Sequence, residues 1–465
     1  MSLRQFQRTL GPSRQFLDRF RGALTTRLDG SSWPRNEDTR RAGDAYFRAL
    51  LLPGERKSMQ PLARAADASY DSLQQFVTDS PWDPFAVMER GAEVLLEDGL
   101  VSPRGLLVLD EVGWVKQGKS SVGVGHQYCG AVGKTANCQV AVDLVYSIPG
   151  EPRNADTQHF ALAMMLYLPE RWVKDAKRRK ATRIPPRQPF RTKTEIGLVL
   201  VDLALKKGLP FRALTGDATY GSDGSFRAGL RARGISYALG IQLTHSPLFI
   251  PEDTPLELPG RGPTGRPRAI ARYPDSVESM TAAQWAKRLP KSAWKTVRWS
   301  EGSKGTNLSQ PFARVRVRVV KERELRKATD ETGWLLLEQR DDELKAYFCW
   351  GLDDTTLKEL VRIAHGRWVI EQFHQQMKGE VGFDHFEGRT WPGWHHHAAM
   401  VMLAYNYLQW ARVKAPKGEP LPTLPEVHRQ YLFDTAVLQL KEQRGLSKAR
   451  AEREAERLWP WFKPG

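Results

Sequence analysis

Three carboxylates, Asp110, Asp217 and Glu371, have the types and settings to carry chemistry. Asp110 closes the apolar run GLLVLDEV, and Asp217 ends FRALTGD; both runs read as strands. Ligands of open α/β sheets gather at the carboxyl ends of strands, so two aspartates there can face one crevice. Taken singly, each also fits an ordinary strand-end or turn aspartate. Glu371 lies in TTLKELVRIAHGRWVIEQFHQQMKGEVG, which reads as one long helix. At about 100° per residue, Arg367, Glu371 and Lys378 fall within roughly 40° of one another, and His374 shares their face. Ile370, Phe373 and Met377 mark a second face suited to packing on a sheet. The bland alternative is a solvated face with an Arg–Glu pair that contributes little. Three acids without a Cys/His cluster suit a hard cation, Mg²⁺ or Mn²⁺. Two such ions about 4 Å apart can activate an attacking oxygen and stabilise a leaving one at phosphorus.

A competing motif lies just beyond Asp110. GWVKQGKS, from Gly113 to Ser120, matches the phosphate-loop pattern of nucleotide hydrolases. That reading needs a helix beginning at Lys119, whereas SVGVGHQYCG is rich in poor helix formers. A glycine-containing hairpin is the expectation. ATP titration separates the two.

The elements that must position these groups follow from periodicity. Residues 1–98 read as helices broken by Pro53-Gly54 and a Ser-Pro turn. Residues 99–245 alternate strand and helix, the mark of an α/β core with partly parallel pairing. Residues 246–345 are dense in Pro and Gly and then in short strands, a β-rich insertion. Residues 346–412 return to the core with the Glu371 helix, and 413–465 form a helical C-terminal region. The expected fold is α/β, a mixed sheet flanked by helices.

The chain has 465 residues and a formal charge of +17, a surplus that points to nucleic acid before an acidic membrane. Residues 171–193 hold ten Lys/Arg against one acid, Asp175, and read as a solvated electrostatic surface ending in an extended loop. Lys177, Arg178, Arg179 and Lys180 are its centre; a solubility loop is the alternative. Apolar runs are too short for a membrane span, and the N-terminus lacks a secretory apolar region. A cytoplasmic location is expected. Cys129, Cys138 and Cys349 match no disulfide framework or zinc spacing and read as small buried hydrophobes. Residues 395–397 are all histidine; consecutive helical positions spread over roughly 200°, so one ion cannot take all three. A helix start with exposed imidazoles is expected.

Several segments together resemble the DDE transposases of bacterial insertion sequences, within the class carrying a Tyr-Arg-Glu-Lys signature and nearest the insertion sequence 701 group. They are LVLDEVGWVKQGKSSVGVGHQYCGAVGKTANCQVAV, TGDATYG, RWVIEQFHQQMKGEVGFDHFEGRTWPGWHHH, and upstream ERKSMQPLA and LQQFVTDSPWD. The resemblance implies an RNase H-like core and a nucleoid-associated enzyme acting on double-stranded DNA, transposon ends and target, as a homodimer. It implies that Asp110, Asp217 and Glu371 hold two Mg²⁺ or Mn²⁺ ions. Water would cut the transposon end, and the freed 3′-OH would attack target DNA. Arg367 and Lys378 match the signature's cations, whereas Ala364 stands where its Tyr falls, with His365 the nearest polar group. DNA contacts are expected of His374, Tyr220 and Lys134, with Gly125, Gln127, Tyr128 and Asn137 in the same block. Trp299 is the candidate to hold a flipped base, against the alternative of a core tryptophan. A DNA-binding protein without cleavage activity, or a hydrolytic nuclease without strand transfer, would share these residues.

Overall fold

The computed structural model describes residues 11–31, 37–54, 56–150, 157–257, 271–301, 306–341, 343–414 and 421–458. The Pro/Gly-dense stretch 258–270 and the terminal residues 1–10 and 459–465 lie outside the described residues. Five helices lead toward the sheet: α1 (Gly11–Asp18), α2 (Glu37–Leu51), α3 (Met59–Ala65), α4 (Tyr70–Thr78) and α5 (Pro84–Glu97). Their starts are set locally. Ser69 and Asp83 accept hydrogen bonds from first-turn amides, and Pro84 sits where its missing N–H is not needed.

The core sheet begins with β1 (Leu106–Val115), β2 (Gly125–Cys129), β3 (Lys134–Ile148) and β4 (Gln158–Leu166). β3 pairs antiparallel with β1, β2 and β4. Helices α6 (Glu170–Lys174) and α7 (Ala176–Ala181) lead to α8 (Lys193–Lys206), which opens on a capping box between Thr192 and Glu195. Then come β5 (Ala213–Gly216), α9 (Ala218–Gly221), α10 (Gly224–Ala232) and β6 (Tyr237–Gly240). β5 runs parallel to β1, and β6 parallel to β5. The order β4-β3-β1-β5-β6, antiparallel on one side and parallel on the other, is an RNase H-like core.

Residues 246–345 are β-rich, as expected. They supply β7 (Leu248–Pro251), α11 (Ala282–Arg288), β8 (Lys295–Glu301), β9 (Thr306–Glu322) and β10 (Lys327–Arg340), followed by β11 (Glu343–Trp350). These strands do not stand apart. β11 pairs with β6, and β11-β10-β9-β7 extend the core into an 11-stranded mixed sheet.

The long helix expected after residue 355 is two helices. α12 (Leu357–His365) and α13 (Val369–Gly379) are separated by a 3₁₀ turn, Gly366–Trp368. A Cβ on Gly366 would lie 2.2 Å from Leu106 Cδ1, so glycine is what lets the chain press onto β1 at the break. α14 (Trp391–Val413), α15 (Leu424–Arg444) and α16 (Lys448–Leu458) complete the chain. The far end of α13 is latched. Lys57 Nζ donates to Glu380 O at 2.7 Å and to Leu50 O. His428 of α15 bridges Glu380 Oε2 at 2.6 Å and Leu51 O at 2.8 Å.

His395, His396 and His397 do open α14, but their imidazoles are buried rather than exposed. α14 is covered on every side, by β4 and by the N-terminal helices, so its first turn has no solvent face. His395 Nδ1 donates to Trp391 O at 3.0 Å, and the His396 nitrogens lie 2.7 Å from Val77 O and Trp82 O. His397 Nδ1 meets the Tyr46 hydroxyl at 2.7 Å, and its Nε2 donates to Phe383 O at 3.1 Å. All three cysteines are buried, as read from sequence. Among the described residues no helix is long and apolar enough to cross a membrane.

Candidate active site

The parallel register of β1 and β5 ends at the pair Leu109–Gly216. The next residues are Asp110 and Asp217, which therefore emerge side by side at the carboxyl end of β5. Asp110 does not close its strand. β3 goes on pairing with β1 as far as Val115, so Asp110 sits mid-strand, at the point where β5 stops. Asp217 caps α9, accepting from the Thr219 amide at 2.9 Å and its hydroxyl at 3.2 Å. That tight turn requires Gly221, where a Cβ would lie 1.8 Å from Gly240 O.

α13 brings the third acid. Ile370, Phe373 and Met377 are buried, as the periodicity predicted. The other face holds Glu371, His374 and Lys378 at β1, and Arg367, expected on the same helix, stands in the 3₁₀ turn just before it. Arg367 Nη1 donates to Asp110 Oδ2 at 2.5 Å, and its Nη2 to Glu371 Oε1 at 3.5 Å. One guanidinium thus lies between two of the three acids. Lys378 Nζ donates to Gly113 O at 3.1 Å. The Asp110 side chain is 16% exposed, whereas that of Glu371 is 67% exposed.

Two acids not foreseen as part of the site complete its charge balance. Asp143 of β3 is fully buried directly opposite Asp110. His374 Nε2 contacts its two oxygens at 3.0 and 3.1 Å. Burial disfavours the charged imidazole, but Asp143 and Asp110 outweigh it, so His374 titrates above its ordinary value. The ring expected to reach DNA is turned inward instead. A lone acid inside the apolar run VAVDLVY was the available signal for Asp143. The other is Glu111, on the opposite face of β1, which pairs with Lys193 and is raised by burial. Asp110 itself is pushed up to about 7, by burial first; Arg367 and His374 oppose this, while Asp217 and Asp143 add to it.

Other expected contacts are placed differently. Tyr220 is fully buried against Phe226 and has no surface to offer DNA. Trp299 is a core residue, its ring 4.6 Å from that of His365 and 5.3 Å from that of Phe312; a flipped base cannot reach it here. At the signature Tyr position Ala364 is buried, and His365 turns into the sheet, 3.1 Å from Glu338. Lys134 is exposed at the start of β3. The basic stretch is helical at first and extended only near its end, because Trp172 is a buried anchor. Lys177 and Lys180 are exposed. Arg178 lies over the Trp172 ring, and Arg179 donates to the carbonyls of Val173, Pro185, Pro186 and Gln188. These two arginines are structural ties rather than open charge. Beyond Gly118 no helix begins, so the GWVKQGKS segment is not a phosphate loop.

Among the described residues no three His, Cys, Asp or Glu side chains stand close enough to hold an ion as they are, Arg367 lying between Asp110 and Glu371. The donor set nevertheless fits a hard divalent cation. It is all carboxylate oxygen, and Asp110 is held above its ordinary range by burial and by Asp217 and Asp143, a shift that a bound cation would oppose.

A family model described as DDE superfamily endonuclease matches residues 19–306, well over half of the chain; Glu371 lies beyond the match. The chain is also similar to the probable transposase for insertion sequence element IS701 of Microchaete diplosiphon, 27% identical over 199 residues. That stretch is 42% of this chain and 47% of the relative, so the similarity spans about half of the relative's length. With an RNase H-like sheet, paired aspartates at its switch from parallel to antiparallel strands and a family match of this extent, the chain belongs to the DDE superfamily of endonucleases.

Proposed function

We propose that this protein is a DNA transposase, which cuts the ends of an insertion sequence and joins them to target DNA. The observation that carries this reading is the placement of Asp110 and Asp217 on adjacent parallel strands, with Glu371 linked to Asp110 through one guanidinium. Asp110, Asp217 and Glu371 would hold two Mg²⁺ or Mn²⁺ ions. When bound, such ions neutralise charge at the scissile phosphate and acidify an attacking hydroxyl. The chain's own groups do the rest. The Glu111 amide donates to Asp110 Oδ1 at 2.8 Å and fixes its carboxylate. Asp143, through His374, fixes the height of α13 over β1. Arg367, once released from Asp110, and Lys378 offer positive charge to the phosphates beside the cut.

In the first step water attacks the phosphodiester at the transposon end, releasing a 3′-OH and leaving a 5′-phosphate on the other side. In the second, that 3′-OH attacks a target phosphodiester and expels the target's own 3′-oxygen. The test is incubation with DNA carrying the flanking terminal inverted repeat and Mg²⁺, with every product sized. Nicked ends and joined products are expected. Nicks without joining would make the protein a hydrolytic nuclease, and binding without nicks, in Mn²⁺ as well, a DNA-binding protein of this fold.

A further inference from the structure

The segment after the catalytic aspartate carries a feature that the cleavage chemistry leaves unused. From 112 to 142 the chain contains no acid, and Lys119 and Lys134 are exposed there, while the Lys116 ammonium donates to Phe386 O at 2.6 Å. Its centre is the two-stranded ribbon of β2 and β3, paired from Gly125–Cys138 to Cys129–Lys134. The inner face is small and packed: Cys129 and Cys138 are buried with Val140, and Ala136 packs against them. That face sits down on β1 at Gly113, where an added Cβ would lie 3.1 Å from Cys129 Sγ. Gly113 is three residues from Asp110, about 10 Å along the strand.

The outer face is of another kind. Successive strand residues point to opposite sides, so His126 and Tyr128 share the outer face with Thr135, the partner of Tyr128. All three are exposed. Tyr128 is 61% exposed, far more than a packed aromatic needs, and Val132 at the turn is exposed too. Beside the ribbon, Arg171 of α6 donates to Val124 O at 3.4 Å and remains at the surface, which extends the positive tract. A two-stranded β-ribbon fits the major groove of B-DNA, and an acid-free ribbon flanked by cations complements its phosphates.

We propose that the β2–β3 ribbon is a duplex-DNA contact, laying His126, Tyr128 and Thr135 into the groove within a few base pairs of the scissile phosphate. This rests on the reading of the acidic site as a DNA-cleaving one. The positive tract supplies affinity that does not depend on sequence. Tyr128, His126 and Thr135 supply base-edge and sugar contacts, and they do so without metal.

The test is binding of the full-length protein to a duplex of about thirty base pairs carrying the terminal inverted repeat, without metal. Tyr128→Ala combined with His126→Ala and Thr135→Ala should weaken binding about tenfold, as loss of a groove contact does. All three side chains are solvent-facing, and an unchanged melting temperature checks that the fold is intact. A photo-cross-linker placed at position 128 should mark duplex positions within about six base pairs of the cut. Affinity within about twofold of the unaltered protein, or cross-links to single strands alone, would overturn the proposal. The two readings fail separately. Equal binding by the variants removes the ribbon and leaves cleavage standing. Intact, ribbon-dependent duplex binding with no metal-dependent nicking removes the cleavage reading and leaves the ribbon.

Discussion

A carboxyl group raised to about 7 and clasped by one guanidinium, as Asp110 is, cannot be exchanged for an amide without consequence for a bound cation. Asp110→Asn, Asp217→Asn and Glu371→Gln should each lower Mg²⁺-dependent nicking on the order of a thousandfold, about 4 kcal/mol of barrier. DNA affinity should stay within about twofold, because phosphate affinity comes from dispersed Lys and Arg. Gel assays of nicking and binding on one substrate read both. The buried histidines give the residue scale a second prediction. Burial holds His395 and His397 down at about 3, below the ordinary 6.5. The unfolded chain therefore takes up protons that the folded chain refuses, and stability is lost as pH falls below about 6.5. At pH 5 each contributes a loss of about 2 kcal/mol. Melting curves between pH 5 and 7.5 should show this slope, and His395→Gln or His397→Gln should flatten it. Asp110, Asp217 and Glu371 could be singled out from sequence because an acid after an apolar run or on a helix face is a local pattern. Asp143 was not, since its partner His374 lies 231 residues away and no local pattern joins them.

At the scale of elements, the joint between α12 and α13 matters most. Periodicity predicts helix on both sides of Gly366 but says nothing of Leu106, which the chain meets only in the folded sheet. Gly366→Ala should destabilise by about 1–3 kcal/mol through overpacking, read by urea unfolding, and should misplace Arg367 over Asp110. Asp143→Ala leaves the His374 ring without its acceptor and should lose about 1–3 kcal/mol, whereas Asp143→Asn keeps an acceptor and should lose less. If Asp143→Ala melts like the unaltered protein, the pair does not hold α13. The β-rich character of 246–345 was readable from Gly, Pro and alternation. Its continuity with the core sheet was not, because the β6–β11 pairing joins strands about a hundred residues apart.

For the molecule as a whole, the charge of +17 makes the proposed affinity for DNA one that should fall with salt. Of the four central cations of the basic stretch, Lys177 and Lys180 face solvent while Arg178 and Arg179 hold the local fold. Lys177→Gln with Lys180→Gln should shrink the log–log salt slope by up to about 1.8 with no preference for sequence. Arg179→Gln should lower the melting temperature instead. Composition alone predicts four equal contacts, because Arg179's carbonyl partners appear only once the loop closes. The latch on α13 bears on synthesis. Arg367 meets Asp110 across 257 residues, and His428 meets Leu51 across 377. At roughly 5–20 residues per second, a ribosome needs roughly 13–50 s to pass from Asp110 to Arg367, and longer to reach His428. During that interval the emerging chain carries Asp110 without its guanidinium and α13 without its clamp. A message broken between the Lys378 and His428 codons therefore yields a chain that carries Asp110, Asp217 and Glu371 but lacks the imidazole that ties Glu380 to Leu51.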